Sequence, residues 1–300
     1  MPALNQDIRL LKIILLILLG FLWSARLTAI KAAGLSGIPV HVTVILSTIG
    51  IAFLFSILAV AKRSWPPLDK IAVRFYILSG LFGFILPFIL ENLVAQHLTV
   101  FLFIVIIATM PIITLILATV LRIEKLYLSQ FIAIGLGFLV ALLIALDTAG
   151  GEPSERPDWL WLIIACGVPL LYAGNTLFVA SRWPQSAEAT HVAHAQALIV
   201  SSAAIAGSLL TGSVEEWDQA SNNLPAILCI AFFEGAALLV YLKITRDYGA
   251  AFVSLANYVA MVFAAILGTV MFDDQLTWLS IFAAALLVLS LTINQVKKPA

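Results

Sequence analysis

The sequence predicts an all-α integral membrane protein of ten transmembrane helices, expected as two inverted five-helix repeats, and three observations carry the membrane-spanning part of that prediction. The composition is 62% hydrophobic and 11% charged, with a mean hydropathy of +1.09, whereas a soluble domain carries roughly a quarter of its residues as Asp, Glu, Lys and Arg. The apolar residues form runs of about 20, the length that crosses a hydrocarbon layer of about 30 Å. The basic residues alternate from gap to gap between those runs, as they do when Lys and Arg are retained on the cytoplasmic side of a chain that threads a bilayer repeatedly.

The runs place spans at 11–33, 39–61, 71–95, 99–121, 126–147, 159–181, 192–212, 224–245, 249–271 and 276–295. Span one follows Arg9 and Lys12 and resembles a signal peptide at its start. Its apolar character continues past Arg26 and Lys31 without a small-residue cleavage site, so it is read as a retained span. Lys62, Arg63, Lys70 and Arg74 separate spans two and three, and Arg122 and Lys125 separate four and five. Arg182 follows span six, Lys243 and Arg246 end span eight, and Lys297 and Lys298 end the chain. With Arg9 and Lys12, those gaps hold thirteen of the sixteen basic residues; the exceptions are Arg26, Lys31 and Arg156. Both termini are therefore expected in the cytoplasm, which requires an even number of spans. Trp65, Trp159, Trp161, Trp183, Trp217 and Trp278 fall at span ends, where amphipathic rings sit at headgroup level, and only Trp23 lies well inside a span. Cys166 and Cys229 lie in apolar stretches and read as small buried hydrophobes.

The chain resembles itself at an offset of 150 residues: LRIEKLYLSQFIAIGLGFLVALLI from Leu121 lies over MFDDQLTWLSIFAAALLVLSLTI from Met271, with Glu124 on Asp274 and Ala133 on Ala283. A repeat of five spans, being odd, enters the membrane upside down in its second copy. The expected organisation is a first repeat over 1–148, an extracytoplasmic linker over 149–158 and a second repeat over 159–300.

These residues resemble the EamA-type branch of the drug/metabolite transporter superfamily. The resemblance rests on GFLWSARLTAIKAA (Gly20 to Ala33), the Met110-Pro111 turn in span four, Glu124 followed by an apolar span carrying Gly135, and YLKITRDYGAAFVSLANYVAMVFAAILGTVMFDDQLTW (Tyr241 to Trp278). The second copy departs from the first in having Met261 where the first has Pro111, and Asp274 replaces the usual glutamate. The resemblance implies a transporter in which substrate passes between the halves near the midplane, lined by spans one, three, four, six, eight and nine, with export of amino acids or amphipathic compounds as its direction.

Charge inside a membrane is the sharpest functional signal, because an ionisable group near the bilayer centre costs roughly 2.5–3.5 kcal/mol even on a lenient scale. Glu234 lies about ten residues into span eight, roughly 15 Å deep, and is the candidate for substrate binding and proton coupling. Arg26 lies roughly 22 Å above the start of span one; pairing with Glu234, pairing with Glu91, and snorkelling outward as expected for Lys31 are its alternatives. Trp23, Asn92, Tyr172, Asn175, Asn257 and Tyr258 complete the expected substrate-binding set: the amides and hydroxyls fix orientation, and the aromatic faces accept an apolar or cationic moiety. Pro87, Pro111 and Pro169 break spans; Pro111 is the candidate kink or gate, and Gly80, Gly83, Gly135, Gly137 and Gly235 are read as points of close helix contact.

His41 and His97 stand alone, and His191 and His194 are read as a solvated pair, so no metal site is expected. No glycine-rich loop with a lysine suggests nucleotide binding, and no cofactor is expected. Nor is a nucleic-acid partner, since there is no basic run. The expected partners are a small-molecule substrate and the lipid bilayer of the cell (inner) membrane. Transport then draws on an ion or substrate gradient, with proton or substrate antiport as the candidates. A passive channel is the alternative; an intramembrane enzyme would need a catalytic pair at shared depth, and no such motif is present.

Overall fold

The structure is a computed structural model that describes residues 2–122, 132, 135–136, 139–140, 143, 159–248, 253 and 256–294, without the side chains of 2–10, 213, 258, 280 and 290–294. Its elements are α1 (Pro2–Leu35), α2 (Val40–Lys62), α3 (Lys70–Val94), α4 (Val100–Val120), α5 (Trp159–Arg182), α6 (Ala189–Thr211), α7 (Leu224–Tyr248), α8 (Ala256–Phe272) and α9 (Trp278–Asn294), with a 3₁₀ segment Ser213–Asn223 before α7. Seven described helices are long and apolar enough to cross a membrane, and the apolar helix within α8 is shorter. Side chains such as Phe53, Ile71, Ile163, Leu228 and Phe232 are exposed on the outer surface, as befits helices whose solvent is lipid. The expected span 126–147, with Glu124, Ala133 and Gly137, lies outside the described residues apart from isolated helical positions.

Helix ends follow local chemistry. Asp69 caps α3 by accepting from the backbone N–H groups of Ile71 (3.1 Å) and Ala72 (3.0 Å). Those donors and Ser186 Oγ (2.8 Å) hold its carboxyl below the usual carboxylate range. The cap is therefore fully present above that range and is lost as pH falls through the depressed value. Thr99 caps α4 through Leu102 N at 3.2 Å. Arg63, at φ 49°, ends α2 in a left-handed turn, with its N–H on Val60 O and that of Ser64 on Ala59 O, both 3.1 Å.

Two helices are broken by proline. Pro111 has no N–H, and its ring would clash with the carbonyl of Ile107, so α4 divides into Val100–Ile107 and Met110–Val120 around a turn at Ala108 and Thr109. In α3, Pro87 is preceded by a π-helical turn over Leu81–Ile85, where Leu86 N bonds Leu81 O. In α5, Pro169 lies inside the helix.

The helices pair across the sequence rather than within each half. α1 packs against α7 and α8, and α5 repeats that pattern against α3 and α4; the α2–α7 contact recurs as α3–α6, while α2 meets α6 and α4 meets α8. Such pairing is what two copies related by a two-fold produce, so each half completes the core of the other. Gly20 permits the α1–α8 contact: a Cβ there would lie 2.7 Å from Val259 Cβ and 2.8 Å from Ala260 N. Ser24 Oγ, which donates to Ala260 O at 2.7 Å, fixes the same seam.

Two faces of the bundle are marked by polar ties. On one, Asp69 meets Ser186, Ser64 meets His191 at 2.7 Å and Lys12 Nζ lies 4.6 Å over the Tyr248 ring. On the other, Asn223 Nδ2 donates to Ser36 Oγ (3.0 Å), His41 pairs with Glu216 (3.2 Å), and His97 stacks on Trp161 with centroids 3.7 Å apart. We refer to these as the Asp69 face and the Lys31 face. Two expectations are corrected. His194 is buried and bonded to Ser56 Oγ (3.1 Å) rather than solvated. Cys166 and Cys229 are exposed, because in lipid an apolar neighbourhood does not imply burial.

Candidate functional site

The α1 residues Trp23, Arg26, Leu27 and Lys31 recur at helical spacing and therefore share one face, which points into the bundle. Arg26 meets Glu91 of α3 and Glu234 of α7 there. Its Nη2 donates to Glu91 Oε1 at 2.7 Å, its Nη1 bonds Glu91 Oε2, and the same Nη1 lies 2.9 Å from Glu234 Oε2. Tyr172 of α5 donates to Glu91 Oε1 at 3.0 Å. All three charged side chains are almost wholly buried, with side-chain exposures of 4% for Arg26, 0% for Glu91 and 10% for Glu234. One guanidinium thus faces two carboxylates, so the formally ionised cluster carries a surplus negative charge. Bidentate geometry with Glu91 makes that pair the firmer of the two. Glu234 has a single contact to the guanidinium.

Arg26, Tyr172 and Glu234 of this cluster form part of the wall of a central cavity between the helices. Trp23, Tyr172, Asn175, Tyr241 and Asn257 line it together with apolar side chains, among them Ile107 and Met110 at the Pro111 break in α4. Among the described residues, Arg26 Nε, Asn175 Oδ1 and Gln196 Oε1 are buried and have no hydrogen-bond partner. Unmet donors and acceptors on a cavity wall are what a polar ligand satisfies, since each left unmade costs about 1–3 kcal/mol. Gln196 Nε2 donates to Ser79 Oγ at 2.7 Å, which fixes its amide between α6 and α3.

A second ion pair lies towards the Lys31 face. Lys31 Nζ bonds Asp274 Oδ1 at 2.7 Å, and Asp274 Oδ2 accepts from Val100 N at 2.9 Å, so α1, the α8–α9 connection and the start of α4 are tied at one point. Lys31 also lies 4.7 Å over the Phe272 ring. The expectation that Lys31 snorkels outward is thereby corrected: its side chain is 9% exposed and turns inward to Asp274. Lys31 sits five residues beyond Arg26, about 7 Å further along α1, and the pair closes the bundle above the cluster. Lys31→Met leaves Asp274 buried with a backbone donor and no cation, so we expect a loss of about 3 kcal/mol, read as a lower Tm in detergent. Lys31→Arg should retain most of the wild-type Tm; equal Tm values for both variants would remove the tie.

Of the substrate-binding residues expected from the sequence, Trp23, Arg26, Tyr172, Asn175, Glu234 and Asn257 are brought together around this cavity. Asn92 is buried off the cavity and donates to Phe88 O of its own helix at 2.8 Å. The side chain of Tyr258 lies outside the described residues. Pro111 sits at the α4 break whose ends face the cavity. Glu91, Gln196 and Tyr241 were not among the expected binding residues. Glu91 lies only three residues before the end of α3 and reads as a span-end acid, although it was one alternative partner for Arg26. Gln196 carried a usable signal: α6 has the lowest mean hydropathy of the seven spans, 1.5.

Fold and site together define a multi-pass membrane protein with a polar cavity held between its helices. The EamA-like transporter family model matches residues 10–146 and again residues 152–295, and the chain belongs to that family. Chains of solved structures match as well; one crystal structure, 17% identical, covers 93% of this chain and 96% of its own at a TM-score of 0.58, a likeness of fold. No curated protein matches.

Proposed function

We propose that the chain is a secondary active transporter that moves small metabolites, of the amino-acid or amphipathic class, across the cell (inner) membrane by alternating access. Its working direction, on the family resemblance, is export. The observation that carries the reading is the central cavity, whose charged cluster joins α1 and α3 of the first matched segment to α5 and α7 of the second. A carrier site between two halves can be opened to either face by rocking one half against the other. The Pro111 break in α4 supplies a joint at the cavity wall.

The ten-span topology is part of this proposal. α4 begins at the Lys31 face, where Val100 N meets Asp274, and its 21 residues carry it to the Asp69 face. α5 starts back at the Lys31 face, where Trp161 stacks on His97. This arrangement supports the proposed span at 126–147 and an even total. Lys62, Arg63, Lys70, Arg74, Arg122, Arg182, Lys243 and Arg246 accompany the Asp69 face, so that face is assigned to the cytoplasm together with both termini.

The surplus carboxylate and the rings of Trp23, Tyr172 and Tyr241 suit a ligand with a basic nitrogen. Glu234 is the group assigned to exchange, because it faces the cavity and holds the guanidinium by one contact only. A ligand ammonium and a proton then compete for the same carboxylate, which makes the transport an antiport. Uptake of a labelled metabolite panel into proteoliposomes, with and without an imposed pH gradient, tests the proposal. An amine-bearing compound whose accumulation follows the gradient is the expected result; uptake indifferent to the gradient throughout would instead describe a passive channel.

A further inference from the structure

On the membrane-facing surface, α3 and α5 leave between them a crevice of about 260 Å³. Its walls are Leu78, Phe82, Leu170, Leu171 and Phe178, and its one polar lining residue is Asn175. Leu78, Phe82 and Leu170 are 37%, 44% and 51% exposed, so the mouth opens onto lipid hydrocarbon. At Gly174 an added Cβ would meet nothing within 4 Å, so the crevice reaches the backbone of α5.

The crevice and the central cavity share a wall. Asn175 lines both spaces, is 6% exposed, and its Oδ1 has no partner among the described residues. Its carboxamide occupies the place of the missing side chain of Gly83: a Cβ there would lie 2.1 Å from Asn175 Nδ2. Gly83 sits inside the π-helical turn Leu81–Ile85, where the regular helical ladder is already interrupted. The partition is thus one short polar side chain set against a glycine.

We propose that this crevice is a subsite for the alkyl tail of an amphipathic amine whose polar end occupies the central cavity, with Asn175 as the gate between them. The apolar walls exclude a polar occupant. Asn175, shared by both walls, sets the occupant directly beside the cavity, and the open mouth lets a tail stay in hydrocarbon while the amine moves inward. The head-group half of this assignment rests on the transport reading of the central cavity; the tail half rests on the crevice itself.

The test uses the full chain in lipid nanodiscs and an n-dodecylamine analogue carrying a terminal diazirine. After irradiation, adducts are mapped by mass spectrometry. We expect them on α3 and α5 around Phe82 and Gly174, competed by n-dodecylamine but not by n-butylamine. By mass action, competitor at about ten times its Kd lowers the yield about tenfold. Gly174→Trp, and more mildly Gly174→Leu, fill the crevice and should remove these adducts. Adducts spread equally over other lipid-facing residues such as Leu228 and Phe232, or unchanged in both Gly174 variants, overturn the subsite. Butylamine transport in proteoliposomes separates the two ideas: if it fails while the α3–α5 adducts stand, the transport reading falls and the crevice remains.

Discussion

Arg26→Met is expected to abolish transport and to destabilise the protein by about 3–5 kcal/mol, the range found when one partner of a buried ion pair is removed. The size of the effect follows from what remains. Glu91 and Glu234 are both buried and share the one guanidinium through Nη1, which is 2.9 Å from Glu234. Without it, two carboxylates face each other inside the membrane, and Glu91 retains only the Tyr172 hydroxyl as a described partner. The prediction carries its own control. Arg26→Met with Glu91→Gln should be more stable than Arg26→Met alone, because the second change removes an uncompensated charge; non-additivity of this kind marks residues in contact. Thermal unfolding of the purified variants in detergent measures it. Strict additivity would show that the three side chains do not act as a unit.

Glu234→Gln separates chemistry from structure. The amide keeps an acceptor for Arg26, and the bidentate Arg26–Glu91 pair is untouched, so the Tm should stay near wild type. Transport should not: we expect at least about a tenfold loss of gradient-driven uptake, equivalent to about 1.4 kcal/mol. The residual uptake should no longer respond to an imposed pH gradient. Uptake assays on a compound that the wild type transports read both quantities. Intact affinity together with intact pH dependence would remove Glu234 from the mechanism and leave it a structural partner of Arg26.

The fold was largely legible because a bilayer imposes one length and one chemistry on every span. The run expected at 71–95 is observed as Lys70–Val94 and that at 192–212 as Ala189–Thr211, and interfacial tryptophans end the expected spans. Depth along a helix also singled out Glu234 and Arg26. What depth cannot give is rotation and partner. Lys31 was read as snorkelling because it lies near a span end, yet its partner Asp274 is 243 positions away and reaches it only through the α8–α9 turn. Glu91 looked peripheral for the same reason, yet it is fully buried against the Arg26 guanidinium of α1. Asn92, one position along, was expected in the cavity and points elsewhere, because neighbouring side chains on a helix diverge by about 100°. Gly83 was read as a close contact of helices, and the group it accommodates is the carboxamide of Asn175, which composition alone does not distinguish.

On the proposed transport reading, the cavity lined by Arg26 and Glu234 is a carrier site exposed alternately to the two faces of the membrane. Counterflow tests it most directly. Proteoliposomes loaded with an unlabelled amine-bearing metabolite are diluted into a trace of the labelled compound, and internal label is followed with time. A carrier predicts a transient overshoot above the equilibrium level, present in the wild type and absent in Arg26→Met. A monotonic approach to equilibrium for every compound that enters, at the same rate in both proteins, would contradict it.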